Sequence, residues 1–469
     1  MTKLAMPKID RKLISRKAEV TANLKKIVKA ENVLDHADQT RPFETDALTA
    51  YKQKPLIVVF PENTKEVSDI LTYCNKARIK VVPRGAGTGL SGGSLPMEDS
   101  ILLCLGKFNK IINIDYKNRC VVAQPGVTNL AITQAVQDKG FYYAPDPSSQ
   151  IACSIGGNVA ENSGGVHSLK YGTTTNNLLG IEVVFMDGTI SRIGGKAYDS
   201  EGYDLLGLIT GSEGLLCVIT EVTVKILKKP QTAKAALIGF STIEDGGRCV
   251  SEIIANGIIP AGMEMMDKPA IAASEAFAKA GYPLDVEALL IVELDGPEVE
   301  VDYLIERVEG IAKENGAVSI RISNSEEERA RFWAGRKAAF PAIGRISPDY
   351  YCMDGTIPRS QLPKVLARMT ELSNEFGLRV ANVFHAGDGN LHPLILYDGN
   401  KEGELHKAEE VAAEILRLCI TMGGSITGEH GVGVEKRDFL PEMFGAEDTE
   451  FLHLLRGAVD VHELANRGK

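Results

Sequence analysis

Residues 83–94 read Pro-Arg-Gly-Ala-Gly-Thr-Gly-Leu-Ser-Gly-Gly-Ser, with five glycines in the nine positions 85–93. Glycine takes positive φ without a Cβ clash, so such a run can turn successive backbone N–H groups towards one point. Inward amides of that kind form an anion nest whose natural guest is a phosphate or pyrophosphate. A plain flexible loop is the commoner fate of a glycine-rich patch. Here Arg84, Thr88, Ser91 and Ser94 add polar groups, and strands flank both sides, which favours the phosphate. Those flanks have β–α–β spacing. LIVVF (56–60) is a buried strand, residues 64–79 carry apolar side chains at helical spacing, and KVVPRG (80–85) starts the next strand. A G-x-G-x-x-G followed by a helix and a Walker A loop are both absent. Gly89 to Gly93 matches G-x-S-x-G, but Pro96 and the strand SILLCL (100–105) follow where a nucleophile elbow needs a helix.

Two more glycine-rich segments interrupt the strands that follow. KIINID (110–115), RCVVAQPG (119–126) and a helix over 128–139 lead to Asp146-Pro147-Ser148-Ser149 and then to 154–165, Ser-Ile-Gly-Gly-Asn-Val-Ala-Glu-Asn-Ser-Gly-Gly. Gly211-Ser212-Glu213-Gly214 then opens an alternating strand over 215–226. Strands cut by three such loops suggest a large dinucleotide held across all of them. A formal charge of −10 with no basic block makes nucleic acid and anionic membrane poor partners. The N-terminal MTKLAMPKIDRKL lacks the apolar core of a signal peptide, and no run approaches the ~18 uninterrupted apolar residues of a spanning helix. Eight scattered cysteines without a CxxC pair argue against a zinc ribbon, an iron–sulfur cluster and a disulfide scaffold. A cytoplasmic protein, free or peripheral at the inner face of the membrane, is expected.

PRGAGTGLSGGS, DPSS, SIGGNVAENSGG and GSEGLLCVIT together resemble the FAD-binding domain of the vanillyl-alcohol-oxidase and p-cresol-methylhydroxylase type. That resemblance implies FAD, with Arg84, Gly85, Gly87, Thr88, Gly89, Gly92 and Ser94 in the pyrophosphate loop. Pro147, Ser148, Gly157, Asn158, Asn162 and Gly164 fall on the second FAD segment, and Ile219 on the third. Some members attach FAD through a histidine in the first loop. Residues 84–94 contain none, which implies non-covalent FAD. His167, just after the second loop, fits a surface or supporting role better than a ligand.

Composition shifts at Lys228-Lys229-Pro230. Strands at 235–241, 287–296 and 317–323 alternate with helices at 243–255 and 298–315, an open α+β pattern of ferredoxin-like style. Glu264, Met265 and Met266 fit either a pocket lining or simple core. Trp333 and Arg336 lie three apart on a predicted helix and so share a face. The planar fork of Arg336 suits a bidentate carboxylate. A salt bridge is the equally weighted alternative.

The most concentrated chemistry lies in 382–433, where FHAGDGNLHPLILY (384–397) and GSITGEHGVG (424–433) hold three of the eight histidines. The spacing predicts two strands, 377–385 and 391–397, with AGDGN as the turn, bringing His385 and His392 across from each other. A helix over 403–422 ends at Gly423-Gly424. Glu429 and His430 are adjacent and would point opposite ways in extended backbone. His385, His392 and Glu429 would then form an open two-nitrogen, one-oxygen metal set, and His430 would serve as a base.

HAGDGNLH and GEHGVG resemble the metal-dependent FAD-linked D-2-hydroxy acid dehydrogenases, a group that includes D-lactate dehydrogenase and the glycolate oxidase D subunit. The likeness runs over about residues 40 to 465. It implies His385, His392 and Glu429 as ligands of a divalent metal (Zn, Mn or Fe), His430 as catalytic base, Arg336 on the substrate carboxylate, and Asn390 towards flavin or substrate. Members acting on dicarboxylic acids carry a lysine where Cys352 stands, so a small monocarboxylate is implied. The family's closing phenylalanine-aspartate-proline and asparagine-proline-glycine-lysine become Val459-Asp460-Val461 and Asn466-Arg467-Gly468-Lys469, keeping Asn466 as a flavin contact without the prolines.

The expected fold is α+β: a two-part FAD-binding domain of the p-cresol-methylhydroxylase type and an α+β, ferredoxin-like substrate domain. Its expected divisions are an N-terminal helical segment (1–50), the FAD domain (51–227), a substrate domain with the metal hairpin (228–410) and a C-terminal segment returning to the flavin (411–469). The expected activity is metal-assisted oxidation of a small D-2-hydroxy acid, D-lactate or glycolate, with hydride passing to FAD. Electrons would leave to an external acceptor or to an iron–sulfur partner subunit of a glycolate oxidase complex, so a homo- or hetero-oligomer fits. A metal-dependent hydrolase using Ser91 or a metal-bound water is the remote alternative, and leaves the glycine loops unexplained.

Overall fold

The structure, a computed structural model, describes residues 6–197 and 202–469. It divides into two compact units. One, the glycine-loop unit, holds the chain up to Gly164, then Thr173–Lys228 and Glu429–Lys469; the other, the hairpin unit, holds Gly165–Gly172 and Lys229–Gly428. The change of composition at Lys228-Lys229 therefore coincides with a physical boundary, and the second boundary falls between Gly428 and Glu429.

In the glycine-loop unit, one sheet orders Val33–Leu34, Ile57–Val59, Ser100–Cys104 and Lys80–Arg84, the last three mutually parallel. The helix Thr64–Ala77 makes the crossover between two of them. Asn63 caps it by accepting from Glu66 N at 2.9 Å, and Arg78 ends it in the left-handed region at φ +58°. Such a cap stabilises by about 1 kcal/mol. Its buried stripe, Val67, Ile70, Leu71 and Cys74, joins the core cluster that also takes Val20 and Leu24 from the N-terminal helix Lys17–Ile27. Each such aliphatic side chain contributes about 1.5–3 kcal/mol of burial.

A second, fully antiparallel sheet orders Ile111–Asp115, Cys120–Ala123, Val218–Lys225, Leu178–Val184 and Ile190–Gly194. The strand Leu178–Val184 is buried along its whole length, so it lacks the polar alternation that marks a half-exposed strand.

The hairpin unit is built on a seven-stranded sheet ordered Ala317–Ile322, Thr232–Phe240, Ala288–Gly296, Gly262–Asp267, Val380–Phe384, Pro393–Tyr397 and Asp349–Cys352. Every pairing in it is antiparallel. Gly262–Asp267, the strand containing Met265 and Met266, is buried at every position and joins the three strands on one side of it to the three on the other. The helix Glu326–Lys337 starts at Ser325, whose hydroxyl accepts from Glu328 N at 3.2 Å. Three glutamates in its first turn and Arg336 and Lys337 in its last complement the helix dipole. Gly335 is required there because a Cβ would lie 2.4 Å from the Tyr282 ring.

All eight cysteines are buried, and none is in a disulfide. No helix among the described residues is long and apolar enough to cross a membrane.

Candidate functional site

In the hairpin unit the turn Ala386–Gly389 fixes the pairing. Asn382 faces Pro393, and His385 bridges to Asn390, with His385 N donating to Asn390 O at 3.0 Å. His392 consequently lies opposite Val383, with Val383 N donating to His392 O at 3.5 Å, and not opposite His385. The expected direct pair is thus a diagonal one. The physical reason is the tight turn: Gly389 at φ +83° returns its N–H to His385 O at 3.1 Å and closes the hairpin earlier. Residues two apart on a strand share a face, so the histidines still meet, with ring centroids 5.0 Å apart and planes at 85°.

Both rings are buried and both are held through Nδ1. His385 Nδ1 lies 2.6 Å from Glu264 Oε1, and His392 Nδ1 lies 3.4 Å from Met353 O. A carbonyl only accepts, and Glu264 is paired with Arg336 as an ion, so Nδ1 is the donor in each case. The lone pair of each imidazole is therefore on Nε2, the tautomer a metal needs.

Arg336 is 1% exposed. Its Nε and Nη2 both reach Glu264 Oε2, at 2.7 and 2.6 Å. Trp333, one turn earlier, donates its indole N–H to Glu293 Oε2. Glu293 also meets Arg329 at 2.7 Å and His167 Nε2 at 3.3 Å, which gives His167 a supporting place. Burial alone would raise the Glu293 carboxyl, but His167 and Arg329 outweigh it and hold it down at about 2.

Asn390 is buried beside Gly428, where a Cβ would come within 2.5 Å of the carboxamide. Gly428 N donates to Asp354 O at 2.9 Å and to Oδ2 at 3.0 Å, and Thr427 Oγ1 donates to the same Oδ2 at 2.6 Å. Asp354 thus fixes the chain one residue before Glu429. Cys352 is buried in the strand Asp349–Cys352, opposite Leu394.

In the glycine-loop unit the three glycine segments meet. Ser154 caps the helix Ile155–Glu161 by accepting from Gly157 N at 3.3 Å, and a Cβ on Gly85 would lie 2.2 Å from that same hydroxyl. Gly87 and Gly92 take φ of +73° and +74°, and a Cβ on Gly87 would collide with the Arg84 guanidinium. A Cβ on Gly89 would meet no protein atom within 4 Å, so packing does not require that glycine. Arg84 is 9% exposed, and its Nη1 is buried without a hydrogen-bond partner. An orphan guanidinium N–H beside positive-φ glycines fits a phosphate anion.

The other expected cofactor residues differ in what they offer. Thr88 and Ser94 are half-buried on the first loop, Pro147 is buried and Ser148 exposed in a turn, and Gly164 is buried. Asn158 Oδ1 accepts from Asn129 Nδ2 at 3.0 Å, and Asn162 Oδ1 accepts from Thr175 N at 2.9 Å. Both carboxamides therefore brace the second segment itself. Ile219 is buried opposite Val183.

Glu429 and His430 open the last part of this unit. Ser91 Oγ donates to His430 O at 2.9 Å, and Glu213 accepts from Val432 N at 2.6 Å and Gly433 N at 2.7 Å. The first and third glycine loops therefore hold the segment that carries His430. Burial pushes the Glu213 carboxyl up, against those two amides and Lys436 and Lys469. The tail joins the same knot. Asn466 Nδ2 donates to Gly93 O at 2.8 Å and Glu213 O at 2.6 Å, and Lys469 Nζ donates to Leu95 O at 2.8 Å. Burial brings Lys469 down to about 8. Asn466 does reach the first loop without the flanking prolines.

Glu213 and Asp354 are not among the sequence-based candidates, and Glu264 is expected there only as pocket lining or core. The only local signal was for Glu264 and Asp267, acids in an otherwise apolar strand.

The chain matches "FAD binding domain" over residues 55–194 and "FAD linked oxidases, C-terminal domain" over residues 229–469. It is 53% identical over 465 residues to the glycolate oxidase subunit GlcD of Escherichia coli K12, covering 99% of this chain and 92% of that protein. Identity is 39% to the glycolate oxidase subunit GlcD of Bacillus subtilis 168, over 96% of each chain. A D-lactate dehydrogenase of Archaeoglobus fulgidus is 33% identical, over 95% of this chain and 98% of that one. The structure of p-cresol methylhydroxylase with substrate bound is similar in fold, with a TM-score of 0.83 at 18% identity, over 98% of this chain and 97% of the other.

Proposed function

The chain belongs to the FAD-linked oxidases, and on that premise we propose that it oxidises a small D-2-hydroxy acid, glycolate or D-lactate, to the 2-oxo acid. The reading takes FAD as bound non-covalently on the glycine loops through Arg84 and the backbone of 85–94, with Asn466 closing the loop from the tail. It takes His385, His392 and Glu429 as holders of a divalent cation. FAD, when bound, supplies the hydride acceptor, and the cation supplies Lewis-acid polarisation of the substrate hydroxyl.

The chain's own residues then have separate tasks. Arg336 aligns the substrate carboxylate through its Nη1 edge, since its Nε–Nη2 edge is on Glu264. Asn390, buried beside Gly428, faces the substrate. His430 removes the hydroxyl proton through an imidazole nitrogen as the α-hydrogen leaves as hydride, so one proton and one hydride account for the oxidation. Cys352, in place of a cationic side chain, favours a monocarboxylate.

The observation that carries the metal part is the pair of buried imidazoles 5.0 Å apart, each anchored through Nδ1. The test is anaerobic bleaching of the flavin by a panel of D- and L-2-hydroxy acids, with and without chelator. Bleaching by glycolate or D-lactate that the chelator suppresses is expected. No bleaching by any acid overturns the substrate class, and chelator-insensitive bleaching overturns the metal.

Two relatives are named as subunits, which favours a multisubunit enzyme. In this reading electrons then leave the chain for an iron–sulfur partner. Native pull-down that recovers the chain alone would contradict that assembly.

A further inference from the structure

Glu264 sits in the strand Gly262–Asp267 with no exposed surface. Its carboxylate is fully engaged. Oε2 takes Nε and Nη2 of Arg336, and Oε1 takes Nδ1 of His385. These partners lie 72 and 121 residues away in sequence. A buried ion pair is a weak source of stability, because desolvation offsets most of the Coulombic gain. A core with this shape could be filled by apolar side chains at less cost, so fold stability alone does not account for Glu264.

We propose that Glu264 is a positioning residue that sets the substrate arginine and a metal-binding imidazole from a single carboxylate. This rests on the roles given above to Arg336 and His385. One oxygen fixes the His385 tautomer and ring plane, which is how outer carboxylates raise the affinity of a histidine site. The other fixes the edge of Arg336, so the opposite edge is turned to the substrate carboxylate. In a 2-hydroxy acid the carboxylate and the hydroxyl are on neighbouring carbons. A common reference for both anchors holds the two groups in register, and a displacement at one anchor is transmitted to the other.

The test uses FAD-loaded protein stripped of metal and titrated calorimetrically with Mn²⁺ or Zn²⁺, alongside steady-state kinetics. The variants are Glu264→Gln, Arg336→Met and the double variant. The proposal expects Glu264→Gln to bind metal about 10–100-fold more weakly at unchanged flavin content, with KM for the hydroxy acid raised. Arg336→Met is expected to weaken metal binding as well, although a guanidinium does not ligate metal. The double variant is expected to bind metal no more weakly than Glu264→Gln, since both substitutions break one network. Wild-type metal affinity in Glu264→Gln, or additive losses in the double variant, overturns the proposal. If Glu264→Gln does not fold, Arg336→Met decides: unchanged metal affinity there refutes the coupling. A wild-type protein that binds neither ion removes the metal reading itself, an outcome distinct from tight wild-type binding that the variants leave untouched.

Discussion

Replacing Glu213 by alanine removes both carboxylate bonds that hold Val432 N and Gly433 N. Hydrogen bonds to a charged group contribute about 1.5–3 kcal/mol each, so about 3–6 kcal/mol of local anchoring is lost. Part of that returns, because a buried carboxylate no longer has to be desolvated. The net loss of global stability is expected at roughly 2–3 kcal/mol, within the range of single substitutions that break a buried network. The larger effect falls on His430, two residues from Val432. His430 O remains tied to Ser91 and Gly431 O to Lys436 Nζ at 3.1 Å, but the segment loses the two amide anchors that fix its path. A misplacement of about 1 Å costs on the order of 10²-fold in rate. Anaerobic stopped-flow reduction of the bound flavin should therefore slow about 10²-fold in Glu213→Ala. Flavin content should fall far less, because the first and second glycine loops still meet through Ser154. Glu213→Gln keeps one acceptor oxygen and should slow reduction by about tenfold, the 1.4 kcal/mol equivalent of half the anchoring after compensation. Reduction at the wild-type rate in Glu213→Ala, with the fold intact by urea titration, would refute the role of this carboxylate.

Gly85→Ala places a methyl 2.2 Å from Ser154 Oγ, so it should lose flavin on gel filtration, and Gly89→Ala, with no protein neighbour within 4 Å, should fold normally yet bind flavin more weakly. Glu293 is held at about 2 against 4.5 unfolded. A depressed carboxyl stabilises above its unfolded value, so that contribution, roughly 3 kcal/mol, should disappear as pH falls from about 4.5 to 2. Glu293→Gln should lack that segment of the stability–pH curve in chemical denaturation. Asp354→Ala leaves Gly428 N and Thr427 Oγ1 without their shared acceptor and should raise the dissociation constant for metal without changing flavin content.

Much of this architecture is legible along the chain because its signals are local. Glycine spacing marks the three loops, two short strands around AGDGN mark the hairpin, and the Trp333–Arg336 spacing marks a helix face that the structure buries. The signals that fail are those set by distant partners. Glu264 sits between methionines and looks like core filler until Arg336 and His385 arrive from 72 and 121 residues away. Glu213 looks like a loop residue until the segment after His430, more than 200 residues on, docks on it. The two-residue offset between His385 and His392 depends on a turn that hydrophobic pattern does not specify. Nor does composition reveal that Gly165–Gly172, within a run of glycine-loop sequence, joins the other unit. There Lys170 and Tyr171 bind Asp295, at 2.5 and 2.6 Å.

In the proposed function His430 moves the substrate proton while flavin and metal are held by other residues. Its most direct test is His430→Ala in the anaerobic half-reaction with glycolate and D-lactate. The Ser91 bond is to the His430 carbonyl, so the backbone should stay in place and flavin and metal content should remain at wild-type levels. Flavin reduction is predicted to fall by about 10²–10⁴-fold, the span of a lost general base. Reduction at the wild-type rate by that variant, fully loaded with flavin and metal, would contradict the account.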